Sequence, residues 1–319
     1  MKNYIINYLL FTLFFLSACN SPKNTTEDFN YFSEQFADVK ILRYQVPGFD
    51  KLNLDQKKLV YYLTQAGLEG RDIMYDQNYR HNISIRKALE NIYINYNGDK
   101  SKNDWTLFET YLKRIWFSNG IHHHYSNDKH KPGFSINYLK NLLDETNTTL
   151  ENEAFDVIFN ELDNKKVNLD ASKGLIKGSA VNFYGSDVTA EDVDFYYSEI
   201  KKVPKPKKPI SLGLNSKLVK EDGKIVEKVW KLNGMYSEEI EKIIYWLNKA
   251  VEFAENDKQK HGLELLIKYY ETGDLNIWDE YNVVWVETKE GDVDYINGFI
   301  EVYNDPKGYR GSYESVVQI

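Results

Sequence analysis

The sequence predicts an α+β protein: a helical N-terminal region, then a mixed or antiparallel, barrel-like sheet carrying helices. Three observations lead there. Apolar residues recur at helical spacing through the first half of the chain. Near Asn164 that rhythm gives way to short apolar runs punctuated by Gly174, Gly178 and Gly185. Further on, Asp222-Gly223 falls between the runs from Leu218 and to Glu227, the pairing that a two-residue primed hairpin turn demands.

The helical region reads stripe by stripe. Leu59, Tyr62, Leu63 and Ala66 stand at i, i+3, i+4 and i+7, and Ile85, Ala88, Leu89 and Ile92 repeat the pattern behind Ser84, a candidate N-cap. Trp105, Phe108, Leu112, Ile115 and Trp116 form a third stripe. Ile136, Leu139 and Leu143 form a fourth after the breaker Pro132-Gly133, and Phe155, Ile158, Phe159 and Leu162 a fifth. Such stripes are core faces. After Asn164, Ala180 to Tyr184 is a short apolar run. Lys201 to Pro209 holds three prolines and five lysines and reads as an extended, solvated connector. Two further helices follow, one with Ile240, Ile243, Ile244, Leu247 and Val251 capped by Ser237. The other carries Leu263, Leu266, Ile267 and Tyr270 and ends near Gly273. Tyr281 to Thr288 and Tyr295 to Tyr303 read as strands joined across Glu290-Gly291-Asp292. Ser312 to Ile319 starts an element without a stop signal, so the expectation is a chain truncated at its C-terminus.

The N-terminus has a separate logic. Lys2 is followed by a mostly apolar run from Ile5 to Leu16, then by Leu16-Ser17-Ala18-Cys19. This is the form of a secretion signal, and its end looks like a bacterial lipobox with Cys19 as the lipidated first residue. Cys19 is the only cysteine in the chain, so no intrachain disulfide and no cysteine nucleophile is expected. The expected parts are a signal peptide at 1–18, a lipid-anchored tether at 19–35, a helical region at 36–163 and an α+β region at 164–319. The implied location is the cell envelope, with the chain held in the outer membrane on its periplasmic face through the lipid on Cys19. Asn20 stands where an inner-membrane retention signal would have Asp. A net charge of −8 argues against nucleic acid as a partner.

Candidate chemistry is sparse. None of His81, His122, His123, His124, His130 and His261 is followed by Glu, so no His-Glu zinc helix is present. His122 and His124 share a face if extended, which a metal could use, but no nearby Cys or acidic set completes the ligands. A structural or cleft-lining role is the stronger reading, and His81 and His261 read as solvated. There is no Gly-rich phosphate loop and no Gly-x-Ser-x-Gly elbow. The 25 Tyr and six Trp fit either core packing or a surface that stacks on sugar or peptide.

Three segments carry a family resemblance: Tyr61 to Ile73, Trp116 to Ser126, and above all Ile296 to Pro306 with Gly308 to Gly311 after it. They resemble dipeptidyl peptidase III, a family of zinc metallopeptidases, over roughly Phe36 to Ile319. The resemblance implies release of dipeptides from the free N-terminus of oligopeptides, with most of one lobe of a two-lobed peptidase present here. It implies Zn2+ in the full-length protein, bound by a His-Glu-x-x-Gly-His motif that this chain lacks, and none bound by this chain. The site residues it implies are Tyr295, stabilising the oxyanion, and Asp292 or Asp294, pairing with the substrate ammonium. Asn297 and Gly298 in the same run join them as substrate-binding candidates. The alternative is a non-catalytic surface lipoprotein that binds glycan or peptide.

Overall fold

The computed structural model describes residues 29–161, 164–202 and 211–319. The leader, Cys19, the polar stretch to Asp28, Leu162 and the connector from Val203 to Pro209 lie outside the described residues. Elements are numbered in chain order among the described residues.

The described residues up to Pro47 belong to one unit. Within it β1 (Phe32–Phe36) pairs antiparallel with β2 (Val39–Leu42), across a turn in which Ala37 takes a left-handed φ of 48°. A tether and helix start were expected here. The alternation of Phe32, Glu34 and Phe36 against Val39 and Ile41 instead satisfies the backbone as a hairpin.

Gly48–Ile319 is the second unit. Its helices open with α1 (Leu54–Glu69), held by a capping box in which Asn53 and Gln56 bond each other's backbone at 2.9 Å. Then come α2 (Arg71–Asn78), α3 (Asn82–Asn95), α4 (Asn103–Ser118), α5 (Ile136–Glu145) and α6 (Asn152–Phe159). Most of the predicted stripe residues form buried faces, and Ile85, Leu89, Ile92, Phe108, Leu112, Ile115, Leu139 and Ile158 lie in one apolar cluster, but Trp116 and Ile136 at the ends of their stripes are exposed. Helix α3 starts earlier than its sequence signal. His81, not Ser84, holds the N-cap position, and Ser84 Oγ instead donates back to His81 O at 2.9 Å. His81 is buried rather than solvated.

The C-terminal part contains α7 (Ala190–Lys202), β3 (Ser216–Glu221), β4 (Lys224–Val229), α8 (Ser237–Val251), α9 (Asp257–Thr272), α10 (Leu275–Glu287), β5 (Asp294–Phe299) and β6 (Tyr313–Gln318). Asp222 (φ 51°) and Gly223 (φ 74°) make the predicted turn between β3 and β4. Helix α9 ends at Gly273 in the left-handed conformation, φ 70°. Two expectations are corrected. No closed barrel forms: the described strands make three separate two-stranded antiparallel sheets. Tyr281 to Thr288 is not a strand but the end of α10, started by Asp274, whose carboxylate accepts from Asn276 N. Trp278 and Tyr281 on one face of that helix are buried, and this burial overrides the strand preference of Val283, Val284 and Val286. Ser237 is the first residue of α8 rather than its cap, a position that falls to Tyr236.

A second apolar cluster joins α1, through Leu59, Leu63 and Ala66, to α8, α9, α10, β5 and β6. It sets the C-terminal hairpin against helices.

Candidate active site

β5 and β6 pair in register Tyr295↔Val317, Asn297↔Ser315 and Phe299↔Tyr313. Side chains alternate across a strand. Tyr295, Asn297 and Phe299 therefore turn together into the protein, all at most 4% exposed. Asp294 belongs to the opposite face and is exposed.

The predicted residues separate on this frame. Asp294 Oδ1 accepts from Trp285 Nε1 at 3.1 Å and from the Tyr295 amide at 2.8 Å. Asp292 is turned elsewhere: its Oδ2 accepts from Gln56 Nε2 on α1 at 2.8 Å, while its amide donates to Glu255 Oε1 at 3.0 Å. The two acids do not converge. The Tyr295 hydroxyl is hydrogen-bonded to the buried hydroxyl of Tyr281 on α10, and burial, with Tyr281 and Asp294 adding to it, holds its pKa well above the ordinary tyrosine value. It is a neutral donor at any physiological pH. Asp294 and Tyr295 nonetheless line one hollow of ≈ 140 Å³, closed by Gln259, Trp285 and Gly291.

Asn297 is committed inside the hairpin. Its Oδ1 accepts from the Tyr270 hydroxyl at 2.5 Å, and its Nδ2 donates to Tyr313 Oη at 3.1 Å and to Ser315 Oγ at 3.3 Å. At Gly298 a Cβ would lie 2.5 Å from the Trp278 ring, so glycine here is what lets α10 lie on the strand.

Two features beside this hairpin have side-chain roles that only the folded chain shows. Asp305, 4% exposed, gathers the loop between β5 and β6: its carboxylate accepts from the Tyr184 hydroxyl at 2.7 and 2.8 Å and from the amides of Lys307, Tyr309 and Arg310 at 2.9 Å. Arg310, fully buried, donates to Tyr197 Oη at 2.6 Å, Tyr184 Oη at 3.2 Å and Ser216 O at 3.3 Å. The Asp-Pro-x-Gly-x-Arg-Gly spacing was the available signal. The second feature is a hollow of ≈ 230 Å³ where His124, Lys166, Tyr303, Asn304 and Glu314 meet. Burial, then the neighbouring Glu301, raises the Glu314 carboxyl, and burial lowers the Lys166 amine. His124 thus meets the C-terminal hairpin, as a cleft-lining residue would. His122 is buried, with its ring Nε2 3.0 Å from Asn164 O. Among the described residues no three His, Cys, Asp or Glu are grouped to hold a metal ion.

An α+β protein with polar hollows against its C-terminal hairpin is what these residues build, and proteins similar to it include dipeptidyl peptidases. A sequence model of peptidase family M49 matches residues 178–319. Dipeptidyl peptidase 3 from Homo sapiens is 31% identical over 86 residues, 27% of this chain and 12% of the relative. The enzyme from Rattus norvegicus is 31% identical over 84 residues, 26% and 11% of the two chains. Among solved structures, dipeptidyl peptidase III from Caldithrix abyssi superposes with a TM-score of 0.56 at 20% identity, covering 86% of this chain and 40% of that one. The Corallococcus sp. strain EGB dipeptidyl-peptidase III gives 0.56 at 17% identity, with the same coverage of 86% and 40%. The structural likeness shows a shared fold. The chain is related to the dipeptidyl peptidase III family, and it matches only a minor part of the length of each of these relatives.

Proposed function

We propose that the protein to which these residues belong is a dipeptidyl peptidase acting on oligopeptides, and that this chain contributes to substrate recognition. The family relationship carries the reading, and the β5–β6 hairpin, inside the matched segment, supports it. Zinc is the metal the family implies. The described residues do not fit it, since they present no group of three ligands, so the ligands would have to come from elsewhere in the protein. What this chain supplies is an acid and a proton donor. The exposed carboxylate of Asp294 is fixed by Trp285 and suits a substrate ammonium, which it can meet with a charge-assisted hydrogen bond. Asp292, already engaged by Gln56, is the weaker candidate. Tyr295 keeps its proton and suits stabilisation of a developing oxyanion, once its bond to Tyr281 is exchanged.

The test is to incubate the intact protein with a peptide of free N-terminus and identify products by mass spectrometry. Stepwise dipeptides are expected, and Asp294→Asn should raise KM by about tenfold or more. Release of single amino acids, internal cleavage only, or no cleavage would overturn the reading.

The aromatic content gives little support to a stacking platform. Trp105, Trp230 and Trp278 are buried, Trp246 and Trp285 are half-buried, and Trp116 is 36% exposed. For location, the proposal is a lipid anchor on Cys19 in the outer membrane, facing the periplasm. Among the described residues no helix is long and apolar enough to cross a membrane.

A further inference from the structure

Between α2 and α3 the chain turns past Tyr79, which is fully extended at φ −170°, and this sets Tyr79 and Arg80 at a reversal. The segment from Ile176 to Ser186 faces them and is tied down on both sides. Asn182 N donates to Gln77 O at 2.9 Å, Gly185 N to Leu218 O at 2.7 Å, and Leu218 N to Phe183 O at 3.1 Å. Lys217, beside Leu218 on β3, closes the space. The result is a cavity of ≈ 400 Å³, within the size range of small-molecule sites.

Its charge is unusual for this chain. Arg80, Lys177 and Lys217 line the cavity with Ser179, Ser186 and Asn182, and no lining residue carries a carboxylate. The whole chain has net charge −8. Asp76 stands behind the wall, but its Oδ2 already accepts from Asn182 Nδ2 at 2.9 Å and from the Tyr236 hydroxyl at 2.5 Å. Glu153 reaches Arg80 on an exposed side. Lys217 donates to Asn182 Oδ1, its hydrogen-bond partner among the described residues. An ammonium has three donors, so two are left. Burial holds the Lys217 amine below its usual pKa; Asp76 opposes that shift and Arg80 adds to it. A half-buried cation whose printed bond is to a neutral amide, with its nearest carboxylate already held by Asn182 and Tyr236, carries a desolvation cost that a bound anion would offset.

We propose that this cavity binds a small molecule through a compact oxyanion, a phosphate or a carboxylate. Lys217 and Arg80 supply charge-assisted hydrogen bonds, Lys177 adds charge at the edge, and the Ser186 hydroxyl completes the donor set, while the Ser179 hydroxyl is committed to Leu175 O at 2.7 Å. The site is separate from the hairpin: none of Asp292, Asp294, Tyr295, Asn297 and Gly298 lines it. It does not depend on the peptidase reading.

The full chain is titrated by calorimetry with inorganic phosphate and, separately, with succinate. Saturable binding of one molecule per chain is expected for at least one probe. Phosphate alone points to a phosphorylated ligand and succinate alone to a carboxylate. Lys217→Met should weaken binding about tenfold or more, while Lys242→Met, on an exposed helix surface, should leave it unchanged. If Lys217→Met does not fold, as judged by circular dichroism, Arg80→Met and Lys177→Met take its place. Failure of both probes to saturate, or binding indifferent to the cavity substitutions, overturns the proposal.

Discussion

Asp305 shows how one side chain can hold a segment of backbone. Its two oxygens serve one tyrosine hydroxyl and three amides of its own loop. Removing them leaves buried donors without partners, a cost of ~1–3 kcal/mol each. Asp305→Ala should therefore lower stability by about 3 kcal/mol, read as a shift of the urea unfolding midpoint. A change under about 0.5 kcal/mol, the usual range for surface substitutions, would show the loop does not rely on it. His122 makes a prediction in pH. Burial lowers its folded pKa to about 4, against an ordinary value of 6.5. Between those values the unfolded chain takes up a proton that the folded chain refuses. Its contribution is thus fully present above pH ~6.5 and is lost as pH falls toward ~4, by on the order of 3 kcal/mol. His122→Gln should flatten the stability profile over that window. An unchanged profile would assign the loss to other groups. A structural place for His122 was one of the readings its sequence context allowed, whereas the role of Asp305 and the burial of His81 were not legible. A buried histidine and a solvated one carry the same letter, and only packing distinguishes them.

At the scale of elements, the helices of the first half were legible because each stripe has one face to bury. The β3–β4 hairpin was legible because Asp222-Gly223 readily adopts its two positive φ values. Helix α10 was not. Val283, Val284 and Val286 carry strand preference, and the opposing helical signs, the Asp274 cap and the spacing of Trp278, Tyr281 and Trp285, are short-range. In the folded chain Trp278 decides the matter by lying on Gly298. Gly298→Ala would place a methyl 2.5 Å from that ring. Overpacking of this kind costs ~1–3 kcal/mol, and the substitution should lower Tm accordingly. A Tm equal to that of the parent would mean that α10 shifts freely on the sheet.

At the scale of the molecule, Leu59, Leu63 and Ala66 of α1 share one apolar cluster with residues out to Tyr313. The helices α3 to α6 enclose another. The proposed lipid on Cys19 belongs to this scale, because several acyl chains at ~0.8 kcal/mol per buried methylene would hold the whole chain at a membrane. Cys19→Ala should move the protein from the membrane fraction to the soluble periplasmic fraction. A variant that stays with the membrane, or a parent that is already soluble, would remove the anchor from the reading.

By itself the sequence determined the α+β class, the helical stripes, one hairpin and the run around Tyr295 that carries the family resemblance. These are local: they follow from periodicity, from turn geometry or from a short string of residues. The tertiary structure alone decided that the sheets stay two-stranded, that Asp292 and Asp294 part company, and that Asn297 is spent inside the hairpin. It also decided that Arg80, Lys177 and Lys217 meet around one cavity. Each of these depends on groups far apart in the chain competing for the same space and the same hydrogen bonds. A sequence specifies the competitors, but the outcome is fixed only when they are packed together.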